Sequence, residues 1–441
     1  MFYGKETSTF KTRAFEVFFF FFLVFLLCSL PGGGQTDPAD KAFFFGGDFR
    51  IFASTSYYPD FQPIFPDSQQ FMRSLLRFTA QGRLTSKLQY DFHLVQHLDY
   101  SSEKGGGIFN PPIGKQRYQF LRMPWEWLQS DNWSAGLFFD RFNIRLSLSW
   151  ADFTLGRQAV TFGKTYFWNP IDVFLPFRVW DIDRDYKEGV DALRLDVPLG
   201  NFSGMSLIGA PGKEIVLTED FTGTAAKKDV SWYGSALLAR LYTISANWDL
   251  AFQTGKVYGG YHLGGAASGR AGLFDMRLEG AYFIADKNRR RPLPDPLQDE
   301  LLDDHLTAAA GVGWKFPSSL VMEVEYFYNG AAGTKNPESA LLRMIHGTNL
   351  HLSTSLVGIM FGYDILPLVK GKWIGILSVT DRSFYLHPNL SISLTNEMDL
   401  MLGAALSAGE SPYLFAGKYP RLRTEFGTYP DVFYLLLKWY F

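Results

Sequence analysis

Residues 87–99, KLQYDFHLVQHLD, put Leu88, Tyr90, Phe92, Leu94 and Leu98 on one parity. Lys87, Gln89, Asp91, His93, Val95, His97 and Asp99 fall on the other. Alternation with period two over such a length marks a β-strand with one apolar and one wet face. The pattern recurs along the chain. Phe142, Ile144, Leu146 and Leu148 alternate with Asn143, Arg145, Ser147 and Ser149. Phe274, Met276 and Leu278 oppose Asp275, Arg277 and Glu279, and Leu320, Met322, Val324, Tyr326 and Tyr328 oppose Glu323, Glu325 and Asn329. ISANWDLAF reads as a further run, with Ile244, Ala246, Trp248 and Leu250 on its apolar parity.

Two architectures share this pattern, a soluble sandwich or propeller and a transmembrane barrel. Length separates them. Soluble strands average about 5–6 residues, whereas a tilted membrane strand needs about 9–11, and most runs here reach the larger figure. Composition agrees: aromatic residues make up 17% of the chain while mean hydropathy stays close to zero, so the two classes must be interleaved. The near-balance of 42 basic and 44 acidic residues argues against a nucleic-acid partner.

Eighteen candidate strands begin near residues 43, 71, 87, 136, 152, 188, 202, 231, 244, 256, 271, 304, 319, 349, 366, 384, 397 and 430. Short turns are predicted at 84–86, 150–152, 199–201, 242–243, 268–270, 316–319, 364–367 and 395–397. Between them fall longer connections, roughly 56–70, 99–135, 162–187, 211–230, 286–303, 332–348 and 409–429, and two short ones near Gly255 and Asp381. That parity puts the long loops on one rim, as in transmembrane barrels. The expected fold is therefore all-β, an antiparallel barrel of about eighteen strands, with sixteen as the alternative. A barrel closes the sheet, because hydrocarbon tolerates no unpaired backbone. On this reading Phe433, Leu435, Leu437, Trp439 and Phe441 form a lipid-facing row that runs to the last residue. A one-residue slip would turn Arg73, Arg77, Arg145 and Arg277 toward lipid at a summed cost on the order of 10 kcal/mol, so the register is well specified.

The first residues read differently. Lys5, Lys11 and Arg13 precede a fourteen-residue apolar stretch, VFFFFFLVFLLCSL, and then PGGGQ. This is the form of a secretory signal over 1–34, with a periplasmic segment at 35–42 and the barrel at 43–441. The only cysteine, Cys28, lies inside the signal, leaving no disulfide or thiolate metal site in the remainder.

The wet face should line a lumen, and an eighteen-strand barrel is wide enough for water. Its candidate lining residues are Arg73, Arg77, Asp91, Arg145, Arg194, Asp275, Arg277, Glu279, Glu323 and Glu325, with Arg83 and His93 beside them. Such charges either set a field that sorts solutes or pair across strands and keep the lumen wet. The third long connection is rich in aromatics and proline and then crowded with charge: Asp172, Arg178, Asp181, Asp183, Arg184 and Asp185 are candidates for a constriction. His93 and His97, roughly 13 Å apart along a strand at about 3.3 Å per residue, do not chelate one ion. His387, Asn389 and Ser391 share a face because the strand period puts them there. No nucleophile elbow, phosphate loop or zinc motif appears. The chain thus reads as a non-enzyme with no cofactor and no metal.

Gly156-Arg157-Gln158, the following Gly163, Asn169-Pro170-x-Asp172 and the run Gly189–Leu195 together resemble bacterial outer-membrane porin-like and alginate-export-like barrels. The resemblance implies an outer-membrane location and a channel, porin or exporter, for small or polar solutes. It implies as partners membrane lipids with lipopolysaccharide, and the barrel-assembly machinery through the C-terminal strand. In many porins the third loop folds inward and narrows the pore. The other role considered is a plugged barrel serving adhesion or surface structure.

Overall fold

The computed structural model describes residues 43–60, 66–103, 117–121, 123–174, 176–177, 181–217, 224–286, 303–332, 351–415 and 419–441. The signal and periplasmic segments of the sequence reading, with Arg178, lie outside them. The first strands are β1 (Phe43–Tyr57), β2 (Ser68–Arg83), β3 (Leu88–Ser101), β4 (Trp125–Gln129), β5 (Trp133–Ser147), β6 (Asp152–Gln158) and β7 (Val190–Pro198). Next come β8 (Ser203–Leu217), β9 (Thr224–Ser245), β10 (Trp248–Val257), β11 (Gly260–Ala271), β12 (Phe274–Ala285), β13 (His305–Lys315) and β14 (Val321–Asn329). The last are β15 (Ser355–Leu366), β16 (Val369–Ser378), β17 (Phe384–Thr395), β18 (Met398–Ala408), β19 (Tyr413–Phe415), β20 (Tyr419–Arg421) and β21 (Asp431–Tyr440).

Every wall strand pairs antiparallel with both neighbours, and β1 pairs with β2 on one edge and β21 on the other. The sheet is therefore closed. Setting aside β4, which lies only on β5, and the separate β19–β20 hairpin, the wall has eighteen strands. All but β6 run nine residues or more. At the seam, Trp439 pairs with Phe49, and Phe441 continues the ladder by exchanging backbone hydrogen bonds with Gly47 at 2.8 and 3.0 Å.

The two faces differ as the alternation requires. Leu155, Leu193, Leu237, Tyr261, Leu278, Tyr326 and Phe433 all stand exposed on the outside. Arg77, His93, Glu279, Glu325 and Lys438, on the opposite parity, are buried inside. Exposed apolar rows of this extent are matched to hydrocarbon rather than water.

Three turns fall elsewhere than the sequence reading places them. The β9–β10 turn is Ala246–Asn247, both at positive φ (49° and 67°), and not 242–243, so ISANWDLAF is a hairpin instead of one strand. The β11–β12 turn is at Gly272–Leu273, with Gly272 at φ 63°, and not at 268–270. The β10–β11 turn is Tyr258–Gly259, beyond Gly255, with Gly259 at φ 75°. Two-residue hairpins need left-handed backbone, which Gly and Asn adopt cheaply. The strands simply run on until they meet such residues. The long connection expected at 211–230 also shrinks, because β8 extends to Leu217 and β9 starts at Thr224.

Candidate functional site

The connection from β6 to β7, residues 159–189, enters the barrel over its described residues, 159–174, 176–177 and 181–189. It starts at Gly156, whose φ of 118° brings its Cα so close to β5 that an added Cβ would sit 2.2 Å from the Phe142 oxygen. The kink turns Arg157 inside, although its register partner Phe142 faces out. There Arg157 binds Asp191 through Nε at 2.7 Å and donates to the carbonyls of Phe139 (3.0 Å) and Leu121 (2.8 Å). Gln158 donates to the Ala192 carbonyl at 3.1 Å. This knot has a purpose in the wall. The strands β6 and β7 are short, and residues 117–121 with β4 lie alongside β5, β7 and β8, the Tyr118 carbonyl accepting from Asp191 N–H and the Arg117 carbonyl from Lys213 N–H.

Within the connection, Asn169 and Pro170 form a tight turn closed by Asp172 N–H donating to the Asn169 carbonyl at 3.0 Å. Proline presets φ for that turn position. Gly163 faces it, and a Cβ there would meet Asn169 Oδ1 at 1.9 Å. Asp172 accepts the Phe174 N–H and pairs with Lys187, whose Nζ also donates to the Val160 carbonyl at 2.7 Å. The Asn-Pro-x-Asp sequence is thus a folded unit joining both ends of the connection.

Its apolar side chains pack on the inner wall. Val160, Phe162, Ile171 and Phe174 are buried against Ala192, Ile208, Ala210, Ala236 and Leu238 of β7, β8 and β9. Phe167 and Trp168 are buried against Phe327, Leu356, Met360 and Ile376 of β14, β15 and β16, with Trp168 stacked on Phe327 at 5.3 Å and 10°. Two wall carboxylates hold the backbone between these clusters. Glu279 accepts the N–H groups of Lys164, of Thr165 at 2.9 Å and of Ile171 at 3.3 Å. Glu325 accepts those of Tyr166 (2.7 Å), Phe167 (3.2 Å) and Trp168 (2.9 Å). The Trp168 indole N–H donates to His351 Nε2 at 2.9 Å, and His351 Nδ1 lies 2.7 Å from Glu425 Oε1. The connection is thereby joined to the outer loops.

The charged second half reaches the opposite wall. Asp183 pairs with Arg50 and with Lys438 at 3.0 Å; Asp185 pairs with Lys438 at 2.6 Å and Arg50 at 3.2 Å. Burial alone would raise the Asp183 pKa, but Arg50 and Lys438 outweigh it and hold the carboxyl below its usual range. Tyr186 lies under two guanidiniums, Arg77 at 3.8 Å and Arg50 at 4.9 Å from its ring centre. Arg184 donates to the Asp181 carbonyl at 3.2 Å.

The remaining lining candidates are mostly paired. Arg73 grips Asp99 at 2.8 Å through two nitrogens, Arg77 pairs with Asp140, and Asp91 lies 2.9 Å from His93. Arg145 pairs with Asp152 (2.5 Å), Arg194 with Asp196 (2.7 Å), Asp275 with Arg270 (3.0 Å) and Arg277 with Glu323. Arg83 is exposed. Glu279 and Glu325 face the inside without a cationic side chain among the contacts named above: they are 4% and 1% exposed, capped by the backbone of the connection. Sequence reasoning missed Asp48, Arg50 and Asp140, and met Asp191 only as part of the Gly189–Leu195 run, without its partner Arg157. For Asp48 and Arg50 the signal was present, since they share the inward parity of β1 amid aromatics.

No family model matches the chain, and no curated protein matches it. Solved structures do. OccK11 (OpdR) of Pseudomonas aeruginosa is 11% identical with a TM-score of 0.54, covering 92% of this chain and 99% of its own. OccAB1 of Acinetobacter baumannii is 9% identical at TM-score 0.55, with 92% and 99% covered. The P. aeruginosa outer membrane protein OpdK, in its structure with vanillate, is 9% identical at TM-score 0.52, with 90% and 98% covered. At such identity the shared property is the fold, an eighteen-strand porin-like barrel that the chain spans almost completely.

Proposed function

We propose that this chain is an outer-membrane channel passing small polar solutes through a lumen narrowed by residues 159–189. The observation carrying this reading is the pairing of a closed wall, apolar outside and charged inside, with a connection seated across its interior. A cylinder without an edge suits hydrocarbon, and the inward connection sets the cross-section left for solutes. Membrane lipids contact the exposed rows; lipopolysaccharide at the long-loop rim, and the assembly machinery at β21, are further partners of the reading. Residues 1–34 serve as an export signal and 35–42 as a periplasmic lead. The reading assigns no catalytic step and no cofactor. Its lining residues are those named above, and Asp181, Asp183 and Asp185 with Arg184 border the constriction. The alginate-export-like half of the resemblance has the motif residues alone behind it, and the paired lining speaks for small solutes over a polyanion.

A plugged barrel is the second reading, favoured by the two dry clusters that fill part of the interior. Planar-bilayer recording with purified protein decides between them. Stable ion-passing steps, whose reversal potential shifts on Asp183→Asn, support the channel. A tight seal at all voltages refutes it. Swelling of loaded vesicles in a panel of sugars, amino acids and small aromatic acids then ranks solutes.

A further inference from the structure

The connection 159–189 is fastened by two chemistries. Its first half is held by apolar packing and by six backbone N–H groups donated to Glu279 and Glu325, both buried. Its second half is held by ion pairs whose carboxylates remain wet, with side-chain exposures of 29% for Asp183 and 41% for Asp185. Lys187 separates the halves and is locked in place by Asp172, the Val160 carbonyl and Arg141, which donates to its carbonyl.

We propose that residues 181–185 are a salt-labile latch across the lumen, hinged at Tyr186, which stays under Arg77, and at Lys187, and released while residues 160–174 stay seated. Arg50 and Lys438 are themselves buried, but their carboxylate partners reach solvent, so these pairs weaken as salt shortens the Debye length from about 10 Å at 0.1 M to about 3 Å at 1 M. Buried bonds to Glu279 and Glu325 are screened far less. Both anions of the latch answer two cations on adjacent strands, Arg50 on β1 and Lys438 on β21, so both contacts fail together. Arg50 keeps Asp48, at 2.5 Å, when the latch leaves. Lys438 is left facing the lumen, which makes the opened state more cationic than the closed one. The latch is a regulatory element of the proposed channel and rests on that reading for its conductance effect alone.

Zero-length cross-linking of the full chain in detergent tests it. A water-soluble carbodiimide activates the Asp185 or Asp183 carboxylate; Lys438 Nζ attacks, forming an amide, and the reagent leaves as its urea. The Lys164–Asp249 pair has the same exposure as Lys438–Asp185, but Glu279 holds its backbone, so it stays in reach when salt screens the charges and serves as the internal control. Peptide mass spectrometry should find the Lys438 cross-link at about 0.05 M NaCl and roughly fivefold less at about 1 M, with the Lys164 cross-link unchanged. Loss of both in parallel, or of neither, overturns the proposal. In bilayers the cross-linked protein should hold one steady level, and the free protein should show transitions that become more frequent with salt. Silence from both forms counts against the channel reading, and the cross-link ratio still decides the latch.

Discussion

Glu325→Ala is the substitution that most directly separates a seated connection from a loosely inserted one. The wild-type carboxylate accepts three N–H groups in succession, from Tyr166, Phe167 and Trp168, at 2.7–3.2 Å in a site closed to water. A hydrogen bond contributes roughly 0.5–3 kcal/mol, the upper part of the range applying to a charged acceptor, so three amount to about 2–9 kcal/mol favouring the seated state. Burial of Phe167 and Trp168 holds the same state with roughly 3–5 kcal/mol per aromatic. The alanine variant thus loses a share comparable with what remains. The wall should survive, since its ladders do not pass through the Glu325 carboxylate. Chymotrypsin is a suitable probe because Tyr166, Phe167 and Trp168 are the residues this carboxylate holds, whereas Lys164 and Thr165 stay on Glu279. Cleavage after them, slow in the native protein, should accelerate by two orders of magnitude or more, about 1.4 kcal/mol per tenfold. Single-channel conductance should rise or become noisy. Glu325→Gln, which keeps one acceptor oxygen, should fall between. Wild-type proteolysis and conductance in Glu325→Ala, with the barrel folded, would refute the claim that this carboxylate seats the connection.

Other consequences concern the wall, its seal and the latch. Leu193→Arg, on the exposed outer row, should cost about 2–4 kcal/mol in a urea titration in lipid vesicles, whereas neighbouring Arg194→Gln should change stability by under about 1 kcal/mol. Arg157→Ala strands the buried Asp191 carboxylate and should destabilise by roughly 3–5 kcal/mol, read as a lowered temperature for the heat-modified shift in gel mobility. Because the folded Asp183 pKa is depressed, its contribution is present above the unfolded value of about 3.9 and is lost as pH falls through the folded value. Channel transitions should therefore stay at their neutral-pH frequency down to about pH 4.5 and increase only in stronger acid.

The wall was legible because its physics is local and repeated. Each strand had to alternate, each had to be long, and Arg73, Arg145 and Arg277 each specified which parity faced in. Turns were read less well. Ala246–Asn247 carries no proline or glycine, and its left-handed backbone is imposed by the hairpin on either side. The Gly-Arg-Gln and Asn-Pro-x-Asp sequences were visible as words, but their meaning was not. Arg157 reaches Leu121 and Asp191, contacts 36 and 34 residues away along the chain, and only the closed barrel brings those atoms together.

What covers part of the inner face is harder to read from sequence, for a more instructive reason. Binary patterning assumes that the face opposite the apolar row is wet, yet β7, β8 and β9 carry Ala192, Ile208, Ala210, Ala236 and Leu238 on that inner face. In the sequence this reads as doubled apolar residues, Leu207-Ile208 and Leu237-Leu238, where strict alternation should have put a polar side chain at the second position. A strand apolar on both faces needs two apolar neighbours. Hydrocarbon supplies the outer one. The inner one must come from the chain itself, and the aromatic-rich residues 160–174 are the segment that supplies it, through Phe162, Ile171 and Phe174. Glu279 and Glu325 then make sense as inward acids on apolar-flanked strands: they face the backbone donors of that segment instead of open water. Doubly apolar strands opposite an aromatic connection are therefore the sequence sign of a filled lumen, and the number of such strands measures how much of the wall the filling covers.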